Sequence, residues 1–411
     1  MSTKLLIPGS AISLEPVPTP DGGRSISLFS QFRDLGVVAG LAGGARGFNQ
    51  EGDVIRETVD GTPTNDLWAE FQRTMALRNA QRQPLISFLT YSVARPTERI
   101  AQAVGAGDFE RASEFGVPVG VRPKTTSFTL GFDFEWYDTA TRYTWKFLAE
   151  APDDEIRAIN AAVLEMDNRN VFTEVMRTLF SNVNREADIE GNPYTVFAAY
   201  NGDGTVPPEY KTNTFAGTHN HYFTTEATSL TSVDLDDLIG QLTHHGYSSD
   251  EGANIVVMVN EAEGDVIRQF RSPVTGGTAK FDFVPAANTP TFLLPTDVQT
   301  VGGRPAGTLR GMKVIGAYGE ATIVQENYIP AGYLVAFATG GPDSASNPVG
   351  IREHRRPELR GLRLVGKHQT GYPLQDSYYQ RGFGTGIRHR GALAVLQVTA
   401  SADYAPPAQY S

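Results

Sequence analysis

The strongest pattern in the chain is an alternation. Phe128, Leu130, Phe132, Phe134 and Trp136 alternate with Thr129, Gly131, Asp133, Glu135 and Tyr137. Successive side chains of a strand point to opposite faces, so this spacing predicts one half-buried strand through 128–137. A helical period replaces it further on. Ile156, Ile159, Val163 and Met166 recur at intervals of three, four and three, and Phe172, Val175, Met176 and Leu179 continue the stripe. Pro152 suits the first helical position, and Asp153, Asp154 and Glu155 oppose the helix dipole. The expected helix, 152–180, is roughly 40 Å long at about 1.5 Å per residue, long enough to act as a spine.

Weaker patterns flank these two. Leu67, Trp68, Phe71, Met75 and Leu77 predict a helix from Thr64, with Pro84 ending it. Ser232 to His245 reads as a helix stopped by Gly246. Ile255–Val259 and Leu393–Val398 are apolar on both faces, as in buried strands, and Val314–Val324 and Tyr333–Ala338 read as further strands. Residues 1–62 and 95–124 show no sustained period. So long a patternless stretch is unusual inside a compact domain, and both are expected to be arms that pack on another subunit. The order is arm, extended loop, long helix, mixed α/β region and returning strand.

Composition narrows the classes. The 411 residues allow two or three domains, and the 42 glycines and 25 prolines are spread along the chain as turns and loops. There is no cysteine, which removes disulfides, thiolate metal sites and cysteine nucleophiles. Net charge is −11, which argues against a dedicated nucleic-acid binder and suits a wall that must not hold DNA tightly. No segment approaches the roughly 20 apolar residues of a membrane span, so a soluble protein with no membrane partner is expected.

The chemical motifs are thin. Gly361–His368 resembles a phosphate loop, but His368 stands where Ser or Thr is needed and Leu362–Val365 reads as a strand. His219 and His221 could share one face of a strand, with His244 and His245 near in sequence; surface or hydrogen-bonding roles are the expectation, and no metal site is assigned. The glycine run Gly382–Gly386 is too short for a dinucleotide fingerprint. No catalytic residue and no cofactor is expected. Positive charge gathers at Arg352, Arg355, Arg356, Arg360, Arg363 and Lys367, against Glu353 and Glu358, with Arg388 and Arg390 following.

Several segments together resemble a known family: Tyr333–Gly341, Asn347–His354 and Tyr378–Gly391, joined by Phe132–Asp138 and Tyr143–Leu148. In this order they are similar to major capsid proteins of tailed double-stranded DNA bacteriophages, above all those of phages of actinobacteria. The resemblance implies an α+β chain with the Hong Kong 97 capsid fold. Residues 1–95 would form an N-terminal arm with one helix, and 96–137 an extended β-hairpin loop. Residues 138–189 would form a peripheral domain with its spine helix at 153–180, 190–344 mainly the axial domain, and 345–411 a return to the peripheral domain. It implies self-assembly into hexamers and pentamers of an icosahedral head, with no enzymatic activity. Synthesis would be in the host cytoplasm, with residence in the virion. Expected partners are a separate scaffolding protein, a portal, decoration or minor capsid proteins, and packaged DNA held non-specifically. Expected inter-subunit contacts are Phe128, Phe132, Phe134, Trp136, Arg352, Glu353, Arg355, Arg356, Glu358 and Arg360, with Arg355, Arg356 and Arg360 meeting the glutamates of the next subunit in salt bridges. Some relatives join subunits by a lysine–asparagine bond, for which Lys124 and Asn347 are the candidate pair. The competing readings are an encapsulin-like nanocompartment shell and, in another class, a zinc- or nucleotide-dependent α/β enzyme.

Overall fold

The computed structural model describes residues 4–7, 10–13, 17–18, 24–25, 55–80, 84–104, 111–112, 114–117, 124–189, 191–287, 307–309, 312–366 and 374–411. Most of the expected arm, 1–54, lies outside them, as does Lys367. The chain divides into two compact units. One comprises Met1–Thr74, Asp138–Val163 and Leu364–Tyr379, the other Met75–Tyr137, Leu164–Arg363 and Gln380–Ser411.

The elements follow from the patterns, with instructive differences. Helix α1 (Thr64–Ala80) forms as expected, but Pro84 opens a second helix, α2 (Pro84–Leu89), because proline's fixed φ suits the first helical position. Strand β1 (Thr90–Val93) follows. Strands β2 (Thr97–Val104) and β3 (Lys124–Gly131) pair antiparallel through eight positions, from Thr97 opposite Gly131 to Val104 opposite Lys124. The alternating run is therefore two strands, β3 and β4 (Glu135–Thr144), interrupted at Phe132–Phe134. Helix α3 (Trp145–Glu150) is capped by the Thr144 hydroxyl, and α4 (Asp153–Phe180) is the expected long helix of 28 residues.

The first unit has a small core of Leu67, Phe71, Tyr143, Leu148 and Ile156. Beside it, Arg157 holds Glu70 at 3.2 Å and Asp153 at 2.6 Å. Asp153 opens α4 and, with Asp154, neutralises Arg157, so both carboxylates have a structural role.

The second unit is built on an eight-stranded mixed sheet. A hairpin of β5 (Arg185–Ile189) and β6 (Asn192–Val196) precedes it. The sheet comprises β7 (Tyr222–Thr224), β8 (Asn254–Val259), β9 (Phe283–Pro285), β10 (Met312–Tyr318), β11 (Ala321–Gln325), β12 (Tyr333–Thr339) and β16 (Leu393–Gln397), in the order β7-β16-β12-β8-β11-β10-β9, with Thr308–Leu309 pairing β10. The segment expected to be one strand at 314–324 is a β10–β11 hairpin turning at Gly319, whose φ of +57° suits glycine. Helices α5 (Ser232–Thr243) and α6 (Glu261–Ile267) also belong here. Alternate β8 residues enter two cores. Val256 and Met258 face the C-terminal part of α4, while Ile255, Val257 and Val259 share a core with Leu235, Leu238 and Leu242 of α5. Coverage on both faces is why β8 is apolar throughout. The returning strand, β16, lies within this sheet between β7 and β12 rather than apart from the 190–344 region. A second sheet pairs β13 (Val349–Glu353) parallel to β1 and antiparallel to the C-terminal half of β15 (Leu374–Ile387), whose N-terminal neighbour in sequence is β14 (Arg363–Gly366).

Candidate functional site

The β2–β3 hairpin is a ribbon whose connecting segment carries Phe115 and Val117 with 93% and 92% of their surface exposed. An isolated two-stranded ribbon is marginal in water. Here its base is tied down by Glu98 with Arg388 at 2.9 Å and by Phe128 edge-on to Phe197 at 5.8 Å. Two bare apolar side chains on a ribbon tip bury nothing within the subunit. The sequence offered them only as Phe-Gly-Val-Pro-Val, a loop by composition.

Of the four aromatic contacts expected between subunits, the structure separates one outright. Phe132 is fully buried in its own subunit. Its ring lies on Gly350 and Gly386, where an added Cβ would come within 2.5 and 2.8 Å of it. Its carbonyl accepts from the Tyr194 hydroxyl and the Arg352 guanidinium, each at 3.0 Å. The glycine run explains itself in the same way. A Cβ at Gly382 would meet Trp136 and Phe134 at 2.7 Å, one at Gly384 would strike the Asp133 carbonyl, and one at Gly386 the Gly131 carbonyl at 2.7 Å. Three glycines at period two make a flat strip on β15, and the 131–136 segment crosses it. Phe128 and Phe134 are half-buried, and Trp136 keeps 46% of its surface. Phe134, Trp136 and His354 form one aromatic group with ring centroids 5.4–6.1 Å apart.

The basic segment is likewise divided. Arg352 lies on the Phe134 ring and donates to Phe132 and Tyr194, and Arg360 donates to the carbonyls of His354 at 2.8 Å and Arg355 at 3.4 Å. Both make these contacts within the subunit. Arg363 bonds Gln380, Arg388 pairs Glu98, and Arg390 is buried, paired with Asp203 at 2.8 Å. Arg355, Arg356 and Glu358 are exposed, while Glu353 is half-buried. Gly361, read as part of a near phosphate loop, has φ +71° and packs on Asn79, whose amide brackets Leu362 with bonds of 2.8 and 2.9 Å.

The crosslink pair is also corrected. Asn347 is fully buried. Its amide nitrogen donates to the carbonyls of Ser87, Thr90 and Gly341, and its oxygen accepts from Thr339 at 2.8 Å. Converting that amide to a lysine bond would break this set. Lys124 begins β3, but its side chain lies outside the described residues.

The histidines depart furthest from expectation. They are not dispersed surface groups: His219, His221, His244 and His245 converge, with one ring nitrogen from each within 4.8 Å of all the others. The Nε2 atoms of His219, His221 and His245 are 2.9–3.0 Å apart in all three pairs, and that of His244 is 3.3 Å from His219. Two local structures do this. Residues 200–204 and 217–221 run as an antiparallel ribbon, with Gly202 N–H on His219 O and His221 N–H on Tyr200 O, and His221 continues into β7. Helix α5 opens with a Thr231–Asp234 capping box and ends at His244, where Gly246 at φ +92° terminates it. His245 is stacked between Phe215, at 4.3 Å, and Tyr200, at 5.5 Å. Burial pushes His221 down to about 3 and His244 to about 4, with neighbouring imidazoles adding to the effect, and lowers His219 and His245 too. Four of the seven histidines fall within 219–245. That spacing was the available signal, but only the topology brings the two pairs together.

Comparison with solved structures places the chain. It is 42% identical to a structure of Mycobacterium phage Patience, covering 89% of this chain and 96% of that one, with a TM-score of 0.68. A capsid of an empty GTA particle is 14% identical, covering 78% and 92%, at 0.42. The holo-SrpI encapsulin complex of Synechococcus elongatus PCC 7942 is 14% identical, covering 82% and 97%, at 0.41. No protein-family model and no curated protein matches.

Proposed function

We infer the detailed role of this chain from its membership of the family of major capsid proteins of tailed double-stranded DNA bacteriophages, with the Hong Kong 97 fold. Its function is to self-assemble into the icosahedral head that encloses the phage genome, and its place is the virion. The role is structural, with no catalysis. On this reading the β2–β3 hairpin is the extended loop, α4 the spine helix, and the eight-stranded sheet the core of the axial domain. A scaffolding protein, a portal, decoration or minor capsid proteins and loosely held DNA are the remaining partners, with synthesis in the host cytoplasm.

One observation carries the assembly reading. Phe115 and Val117 are almost wholly bare on a ribbon that one subunit cannot cover, and the occupant that fits is a second copy. Burying such side chains is worth about 1.5–3 kcal/mol each, repeated at every subunit of a closed shell. The double variant Phe115→Asp, Val117→Asp should keep the wild-type thermal midpoint yet sediment as a subunit, where wild type sediments as capsomers or shells. Assembly by the double variant as complete as wild type's would remove the tip from the contact.

The exposed set Arg355, Arg356 and Glu358 suits contacts between capsomers, with the arginine fork of one subunit meeting a carboxylate of the next. Each exposed pair is worth only about 0–1 kcal/mol, but the shell repeats it. Arg356→Glu should leave capsomers intact and lower the salt concentration at which shells dissociate. A variant that assembles normally but loses packaged DNA would instead make the segment a nucleic-acid contact.

A further inference from the structure

We propose that His219, His221, His244 and His245 form a structural metal site that binds one zinc ion per subunit through their four Nε2 atoms. The geometry is close to what zinc requires. Four nitrogens at about 2.0–2.1 Å from a tetrahedral ion stand about 3.3 Å from one another, and the four short Nε2 separations are 2.9, 3.0, 3.0 and 3.3 Å. The two remaining pairs, both with His244, lie within 4.8 Å, so a tetrahedral ion needs the three closest nitrogens to open by a few tenths of an ångström and His244 to close in.

Hydrogen bonding alone does not account for the cluster. His221 Nδ1 lies 2.6 Å from the Leu393 carbonyl, which can only accept, so the proton of a neutral His221 sits on Nδ1 and its Nε2 is a bare lone pair. Each of the three mutual contacts among His219, His221 and His245 needs one N–H facing one lone pair. With both other rings protonated at Nε2, two N–H groups face each other. With one protonated, the remaining two lone pairs face each other. No placement of protons satisfies all three contacts, whereas a cation among the four satisfies every lone pair. The His221–Leu393 bond is also the support that fixes a ligating imidazole's tautomer and ring orientation.

The surroundings fit a built site. His245 is held by stacked rings on both sides, and Gly391 leaves the room that its ring occupies, since a Cβ there would stand 3.0 Å from it. The nearby Arg390 charge is met by Asp203 at 2.8 Å and does not oppose a cation. A cleft lined by Tyr200, Pro208, His245 and Tyr247 reaches the cluster and gives an ion a way in. Imidazole suits zinc among the available metals, and four protein ligands with no open position make a structural rather than a catalytic site. The ion would tie the loop between β6 and β7 to the end of α5. In a chain without cysteine it supplies the cross-brace that disulfides cannot.

The test is metal analysis of the full-length protein, purified without a histidine tag, beside His244→Gln and the double variant His244→Gln, His245→Gln. Wild type should retain about one zinc per subunit through gel filtration. A chelator should lower its thermal midpoint, added zinc should restore it, and cobalt substitution should give the intense visible bands of four-coordinate cobalt. His244 is half-buried at the helix end, so His244→Gln should fold, yet lose stoichiometric metal and become insensitive to chelator. Wild type that holds no metal, shows no shift with added zinc and gives no cobalt bands would overturn the proposal. Metal retained unchanged in the double variant would do the same.

Discussion

Phe132→Asp is expected to yield no folded subunit, and hence no capsomer. The ring is fully buried on the glycine strip, and removing such a ring costs about 3–5 kcal/mol before any charge is added. An unpaired carboxylate there adds several kcal/mol more, against a total stability of about 5–15 kcal/mol. The soluble fraction and thermal melting of the variant measure this. Trp136→Asp is the control, because Trp136 is 46% exposed; it should fold with a midpoint within a few degrees of wild type. A Phe132→Asp subunit that folds and melts normally would show that the ring does not belong to its own subunit's core.

Arg390→Ala should be the second most damaging change. The guanidinium is 1% exposed. It donates to the carbonyls of Ala198 and Ala199, to the Asn201 side chain and to Asp203 at 2.8–3.3 Å, and it lies over Phe197 and Tyr200. Removing the guanidinium leaves the buried carbonyls of Ala198 and Ala199 without this donor, at about 1–3 kcal/mol for each buried group left unsatisfied. Arg390→Lys should recover little, because a single ammonium cannot replace a planar fork that serves four acceptors. The pH dependence follows in sign. Burial pushes Asp203 up, but Asn184, Arg390 and the Thr205 amide outweigh it and hold the carboxyl below its ordinary value. A depressed carboxyl contributes stability above its unfolded pKa and loses it as pH falls through the folded one. Acid melts of wild type should therefore steepen there more than those of Arg390→Ala. Equal stability of variant and wild type at neutral pH would contradict this account.

Arg390 also shows where the sequence stops informing. It belongs to a run of arginines that reads as surface charge, and nothing local marks it as the one that enters the core. The long helix, the capped α5 and the apolar strands were legible, because each rests on periodicity or on residues at their own ends. The break at Phe132–Phe134 was not. The alternation is unbroken there, and what stops the strand is β15, some 250 residues later, whose glycines receive the chain. Asn347 failed for the same reason: two of its hydrogen-bond partners, Ser87 and Thr90, lie more than 250 residues earlier in the chain. The histidine pairs had legible spacing within each pair, but the ribbon and the helix end that bring them together are set by tertiary packing.

Assembly is the central claim, and electron microscopy of the purified full-length protein, expressed alone and with its scaffolding partner, tests it most directly. Regular hollow shells built of hexamers and pentamers are the predicted result. A monodisperse monomer at high concentration, forming neither capsomers nor shells with the scaffold present, would contradict it.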